Sequence, residues 1–310
     1  MRTATLFIKS FLIASIIIFH SSNECYAQQK VQFTQYMFNG LVLNPAMAGT
    51  DEAPSLTFLN KSQWANVEGA PTTQTLSAQT PIPNKKLGLG ITFVNDKIGV
   101  HKNQFVQASF AYHLPVTKKS FLSLGVQAGA EFHKSDYASI VGNQNIDPQL
   151  LNNNLSYQAF NIGAGIFYKS SKFEVGISAP SLIPTKYQYY DSITINWTQA
   201  QYFSFLRYRI KLNSSLELQP SVLIKYMKGV PISYDINAAL VIKKVLTLAL
   251  AYRKMESIDF LMNAKITTKL HLGFGYDYGI GEVSRNSGGS FELMANYIFK
   301  NTKSQIASPR

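Results

Sequence analysis

The stretch KLGLGITFV, residues 86–94, decides the fold class of this chain. Side chains of an extended strand alternate between its two faces. One face here carries bulky apolar groups at positions 87, 89, 91 and 93, while the positions between them are two glycines and a threonine. A strand with these two faces fits surroundings that are apolar on one side and crowded on the other.

The same alternation recurs along the chain, and no segment after residue 50 shows a helical period. The pattern predicts about fourteen strands, many of them 9 to 12 residues long. They cover residues 55–63, 72–80, 86–94, 104–114, 122–132, 160–168, 172–179, 200–210, 215–227, 232–242, 246–252, 257–267, 270–278 and 291–299.

The predicted connections also alternate in length. Those after even-numbered strands are short and often contain lysine, whereas those after odd-numbered strands are usually longer. The longest are 133–156, 180–198 and 279–289, and the segment around Gly229 is a short exception. Short turns at one rim and long loops at the other are typical of bacterial outer-membrane barrels, in which the short turns are periplasmic.

Two folds contain strands of period two: a soluble sandwich and a transmembrane barrel. Sandwich strands run about 5–6 residues, whereas crossing a bilayer takes about 9–11. The non-apolar faces carry mainly Gly, Ser, Thr, Asn and Gln, and aromatic residues recur near strand ends. Fourteen apolar stripes also exceed the exposed patch that a soluble monomer tolerates. We therefore predict an all-β transmembrane antiparallel β-barrel whose apolar stripes meet lipid.

The remaining segments give the domain organisation. Residues 1–27 combine a basic start, a short apolar run and a small residue at position 27, as in a cleaved signal peptide; the run is too short for a membrane anchor. We predict an N-terminal periplasmic or plug segment at 28–54, the barrel at 55–300 and a polar C-terminal tail at 301–310. The only cysteine, Cys25, lies in the signal segment, so the mature chain has no disulfide.

Charge and motifs point away from several function classes. The formal net charge is +12, but the lysines cluster in short turns rather than on one face, so we predict no nucleic-acid partner. No metal or cofactor motif is present in the sequence. His133 and Ser135 have the spacing of a hydrolase pair but lack a recognisable third group. Asp147 is more simply a loop residue than a calcium ligand, and Asp277 is expected to pair with inward-facing lysines.

Several blocks of sequence resemble one known family. They are QFTQYMFN followed by NPAMAG, SQWANVEGAPTTQTLSAQTPI at 62–82, LGLGITFVNDKIG at 87–99 and YDYGIGEVSRNSGGSFELMANYIF at 276–299. Together they resemble the PorP/SprF family of type IX secretion outer-membrane proteins from gliding and related Bacteroidetes. The matching family-motif positions, with a structural or partner-contact role, are Gln35, Tyr36, Asn44, Pro45, Ala46, Gln63, Trp64, Gly69, Ala70, Pro71, Asn95, Asp96, Gly288 and Gly289.

The resemblance implies a non-enzymatic barrel without cofactors that works with the type IX machinery. It also implies partners: a large adhesin-like surface protein, whose export or surface attachment the barrel supports, and other secretion components, including periplasmic peptidoglycan-associated ones. The alternatives are a passive porin, which the barrel size allows, and an outer-membrane hydrolase. The longest connections, 134–156 and 181–197, are the expected partner contacts because such contacts concentrate in loops.

Overall fold

The computed structural model describes residues 33–51, 53–83, 85–136, 155–190, 193–198, 200–281, 285 and 287–299. Its two helical elements are 3-10 turns at Gly40–Val42 and Pro45–Met47, so none of the described helices is long enough to cross a membrane. The strands, in chain order β1 to β17, are Ser55–Ser62, Thr72–Pro81, Leu87–Ile98, His101–Thr117, Ser120–Ser135, Leu155–Lys169, Phe173–Ser181, Thr185–Tyr190, Ile193–Thr198, Gln201–Tyr208, Ile210–Lys211, Leu216–Met227, Val230–Ile242, Leu246–Arg253, Ser257–Lys265, Leu270–Gly279 and Ser290–Ile298.

Fourteen of these strands close into an antiparallel barrel. Each pairs with its neighbours in the chain, β1 pairs with β17, and β10 joins β7 on one side to β12 on the other. The two-residue β11 extends β10 against β12, and β8 and β9 form a separate hairpin. Closure leaves no unpaired strand edge in hydrocarbon, where water is absent and each unpaired backbone group is costly.

The barrel confirms the fourteen predicted strands and the predicted direction of their apolar faces. Large apolar side chains such as Ile91, Val126 and Ile162 are exposed on the outside. Buried Ser, Thr, Asn and Gln residues line the inside, together with buried charges. The apolar face therefore meets lipid, as the alternation of the sequence requires.

The structure differs from the sequence-based prediction at one rim. The connection 180–198 contains the hairpin of β8 and β9, where a loop was predicted, so that part of the prediction was wrong. Strands β3, β4 and β5 also continue further than predicted, which leaves only residues 99 and 100 between β3 and β4. Cross-strand pairing continues beyond the apolar stripe, and the periodicity of the stripe marks only the part that faces lipid.

We call the two ends of the barrel the short-turn rim and the long-loop rim. The short-turn rim holds the connections 82–86, 118–119, 170–172, 209–215, 243–245 and 266–269. The long-loop rim holds the connections 63–71, 99–100, 136–154, 182–200, 228–229, 254–256 and 280–289. Residues 1–32 and 300–310, and therefore the signal segment and the tail, lie outside the described residues.

The buried apolar clusters of the described residues lie inside the barrel. Residues 33–51, here called the inner segment, contribute to all three clusters. Leu41 and Ala48 pack on Ala111, and Ala46 packs on Phe121 and Phe167. The barrel is therefore packed through its lumen against its own N-terminal segment.

Candidate functional site

The inner segment runs from the long-loop half of the lumen to the short-turn rim. At its start, the backbone N–H groups of Thr34 and Gln35 donate to the Glu292 carboxylate at 2.6 and 2.9 Å, near the long-loop end of β17. At its end, the Gly49 N–H donates to the Gln79 side chain at 3.0 Å, near the short-turn end of β2. The chain then enters β1 at the short-turn rim.

The glycine face of the wall receives the inner segment. A Cβ at Gly125 would overlap the backbone of Ala46, and one at Gly88 would overlap the Ala48 carbonyl. A Cβ at Gly90 would lie 2.8 Å from a methyl group of Leu41, closer than side chains pack. These wall positions are glycine because another stretch of backbone occupies the space that a side chain would need.

The motif residues Asn44 and Pro45 form a turn that lies at the centre of the packing. The Asn44 side chain caps the 3-10 turn by accepting from the Ala46 N–H at 2.9 Å, and it donates to the Ile166 carbonyl of the wall at 3.0 Å. The Ser123 hydroxyl donates to the Ala46 carbonyl at 2.5 Å. Asn44 and Ala46 are both buried, so the motif residues of this turn join the inner segment to β5 and β6.

A buried ion cluster holds the other end of the inner segment. The Lys61 ammonium lies 3.0 Å from Asp277 and 3.1 Å from Glu292, and all three are almost fully buried. The Thr34 hydroxyl donates to Asp277 at 2.8 Å, so the inner segment shares this carboxylate with the lysine. The predicted pairing of Asp277 with an inward lysine is thus confirmed.

The cluster extends along the wall through Arg253. Its guanidinium lies 3.4 Å from Asp235 and 3.6 Å from Asp259, and Lys225 lies 2.9 Å from Asp235. The sequence analysis did not identify these groups apart from Asp277, although charges that alternate with apolar residues along a membrane strand are expected to face the polar interior of a barrel. Buried charges of this kind are costly unless they are paired and hydrogen-bonded.

A second ion cluster bonds to the middle of the inner segment. Arg207 bonds to Glu174 at 3.1 Å and donates to the Met37 carbonyl at 2.9 Å. Arg209 also pairs with Glu174. Between this cluster and the Asn44 turn lies a gap of about 20 Å³, lined in part by Tyr36, which is room for about one water molecule.

The other motif residues lie at the long-loop rim, where three connections bond to one another. In the loop between β1 and β2, the Gln63 N–H donates to the Pro71 carbonyl at 2.9 Å. The Ala65 N–H donates to the Gly289 carbonyl at 3.1 Å, and the Gly99 N–H donates to the Gly69 carbonyl at 2.8 Å. We call residues 63–71, 99–100 and 287–289 the mouth surface.

Local backbone geometry explains why glycines occur in this surface. Gly69, Gly288 and Gly289 have φ values of 73°, 78° and 76°, in the left-handed region that favours glycine. Trp64 follows the end of β1 with a φ of 50°, and Ala70 precedes the Pro71 carbonyl that closes the loop. A structural or partner-contact role for Trp64 stays a prediction.

Asn95 and Asp96 lie on opposite faces of β3. The buried Asp96 accepts from the Thr73 hydroxyl at 2.6 Å inside the barrel. Asn95 lies on the outer face, where its amide donates to Gln74 at 3.3 Å and accepts from Gln104 at 3.1 Å. The structure therefore divides the motif residues among the inner segment, the mouth surface and the two faces of β3.

The residues considered for hydrolysis do not pair as the spacing suggested. Ser135 contacts Nδ1 of His101 on the adjacent strand at 2.8 Å, while His133 contacts Asn103 at 2.9 Å. Ser135 is only 3% exposed, so this residue is buried in the wall. Asp147 lies outside the described residues, and within the described part of the chain no His, Cys, Asp and Glu side chains are grouped to hold a metal ion.

Comparison with known proteins gives a family and a fold. The model of the family described as "Type IX secretion system membrane protein PorP/SprF" matches residues 25–297. No curated protein matches the sequence.

The solved structures that the barrel resembles include three transport proteins. The Ralstonia pickettii toluene transporter TbuX has a TM-score of 0.51 and 11% identity over 84% of this chain and 93% of its own. The CymD monoaromatic hydrocarbon channel has a TM-score of 0.51 and 11% identity over 84% and 92%. The P. putida toluene transporter TodX has a TM-score of 0.51 and 9% identity over 85% and 94%. At these identities the likeness concerns the fold alone.

Proposed function

Because the chain belongs to the PorP/SprF family of type IX secretion system membrane proteins, we propose that it is a non-enzymatic outer-membrane barrel that binds a large adhesin-like surface protein. It would support the export of that protein or hold it at the cell surface. Other components of the secretion apparatus, including peptidoglycan-associated ones on the periplasmic side, are its further proposed partners.

The filled lumen is the observation that carries this proposal. Residues 33–51 bond to the wall at both ends and in the middle, and their apolar side chains pack against it. A barrel filled in this way offers a partner its rim rather than its interior. The same packing argues against the alternative of a passive porin, since an open solute path needs a water-filled lumen.

The mouth surface is the proposed contact for the partner. Its three connections are bonded into one unit, which presents a defined shape with little loop entropy to lose on binding. Val67 projects from it with 46% of its side chain exposed, beside the exposed Glu68. The longer connections 134–156 and 181–197 are further candidates for the same contact.

An affinity pull-down from outer membranes tests the proposal, with the eluate identified by mass spectrometry. We expect one large surface protein to copurify with the barrel and to be lost from the Val67→Asp variant. Ser214→Asp adds the same charge at an exposed site of the opposite rim and should retain the protein. Equal recovery with all three forms would remove the mouth surface from the proposal, and recovery of no surface protein would refute the binding role.

Conductance decides between the proposal and the porin alternative. Purified barrel in planar bilayers should stay closed, whereas a variant lacking residues 33–51 that still folds should conduct ions. Steady conductance by the intact barrel, combined with normal secretion in a deletion strain, would favour the passive porin instead.

A further inference from the structure

The outer face of the barrel carries a polar patch beside the long-loop rim. Lys97, Lys102 and Lys134 occupy directly paired positions on β3, β4 and β5, and all three are exposed. Their positions continue the outward alternation of these strands, so the side chains leave the barrel rather than enter it. Directly opposite residues of an antiparallel pair have Cβ atoms about 4.5–5.5 Å apart, so three ammonium-bearing side chains leave neighbouring points of one row.

A row of amides lies next to the lysines on the side away from the rim. Gln74, Asn95 and Gln104 are paired in register on β2, β3 and β4, and Asn95 is hydrogen-bonded to both glutamines. Beyond the amides the outer face becomes apolar, and the side chains of Phe93 and Val106 are each 37% exposed. On β3 and β4, from the rim towards the middle of the barrel, the outer face thus changes from cationic to amide to apolar; on β5 the apolar Phe132 follows Lys134 directly.

This order matches the order of chemical groups in a lipid. Like charges directly opposite each other destabilise a sheet, so an anion bound to the lysine row would relieve a repulsion. Among the described residues of this patch the exposed carboxylate is Asp136, two positions beyond Lys134, which leaves the row with excess positive charge. Lysine stems lie along apolar surface while their ammonium groups reach the polar boundary of the bilayer.

We propose that this patch binds a phosphate-bearing lipid of the leaflet around the long-loop rim. The three lysines would hold the phosphate oxygens, the amide row would donate hydrogen bonds to the headgroup, and the acyl chains would lie along Phe93 and Val106. The inference needs only the membrane barrel and is independent of the partner proposed above.

The test compares stability with and without lipid phosphate. The folded barrel is purified in a neutral detergent, and the midpoint of its heat-induced mobility shift is measured with added phosphatidylglycerol, lipopolysaccharide, phosphatidylcholine or inorganic phosphate. We expect phosphatidylglycerol, lipopolysaccharide or both to raise the midpoint temperature. The one with the larger effect identifies the lipid that the patch binds. A lysine is worth about fivefold in affinity for an anionic surface, so the variant with Lys97, Lys102 and Lys134 changed to Gln should bind at least about tenfold more weakly.

Two further variants make the result specific. A triple Lys→Arg variant at the same positions should keep the lipid effect, because it keeps the charge. A variant with Lys118, Lys119 and Lys172 changed to Gln removes three exposed charges from the short-turn rim and should also keep it. In detergent without lipid, the triple Gln variant of the patch should be at least as stable as the parent, because it loses a like-charge contact.

Three results would overturn the proposal. One is no response of the parent to either anionic lipid. Another is an equal loss of response in the short-turn control, which would indicate unspecific attraction. The third is an equal response to inorganic phosphate, which would show that lipid is not required. If the triple Gln variant fails to fold, Lys102→Gln alone, at the centre of the row, should still weaken the response and the matched Lys119→Gln should not.

Discussion

Replacing Gly125 with valine is expected to detach the inner segment from the wall. The new Cβ would overlap the backbone of Pro45 and Ala46, which would have to retreat by about 1 Å to reach ordinary contact distance. That movement breaks the bond from Ser123 to the Ala46 carbonyl, worth about 1 kcal/mol, and overpacking adds about 1–3 kcal/mol. A total of about 2–4 kcal/mol raises the detached population by roughly 30-fold to 1000-fold.

Cysteine accessibility measures this population. Leu41 is 3% exposed and packs against the wall, so Leu41→Cys places a buried thiol on the inner segment itself. The natural Cys25 lies in the predicted signal segment, which leaves the reporter as the only thiol after cleavage. A bulky maleimide should label the folded reporter slowly, and faster by the stated factor when Gly125→Val is added.

Ala128→Val is the matched control, since it adds methyl groups to the exposed outer face of the same strand. It should leave the labelling rate unchanged. Equal labelling of the parent and the Gly125→Val barrel would refute the reasoning that the glycine face exists to admit the inner segment.

Three other substitutions probe the wall. Glu292→Gln weakens an acceptor of the inner segment and removes the charge that pairs with the buried Lys61, so it should lower the free energy of unfolding by roughly 3 kcal/mol in urea titrations. The control Glu68→Gln, at an exposed position, should have no measurable effect. Equal effects of the two substitutions would contradict the ion-cluster argument. The parent barrel should show only background ester or lipid hydrolysis, and Ser135→Ala should not change that rate. Measurable hydrolysis by the parent that disappears in Ser135→Ala would restore the enzyme hypothesis. Ile162→Arg on the lipid face should lower the free energy of unfolding by about 2–4 kcal/mol in the same titrations, whereas Ile162→Val should stay near the value of the parent. An arginine without this effect would place this face away from hydrocarbon.

The strands and the direction of their faces follow from local sequence. Residues 86–94 already separate an apolar face from a glycine face, and the same period locates all fourteen barrel strands. The hairpin of β8 and β9 was missed because a strand pair outside the lipid zone needs no apolar stripe. The partner of Ser135 was also missed: His133 shares its strand face, but His101 comes from the strand paired beside it.

By itself, then, the sequence determined a lipid-facing barrel, because the alternation of apolar and small residues along each strand shows which of its faces meets hydrocarbon. Only the tertiary structure decided what fills the interior. The bond between Gln35 and Glu292 joins residues 257 positions apart, and the glycine at 125 is matched to a turn at 44–46 that precedes the first strand in the chain. Periodicity reports the environment of a face and not the identity of its occupant, since a small residue looks the same in sequence whether water, a side chain or another backbone lies against it.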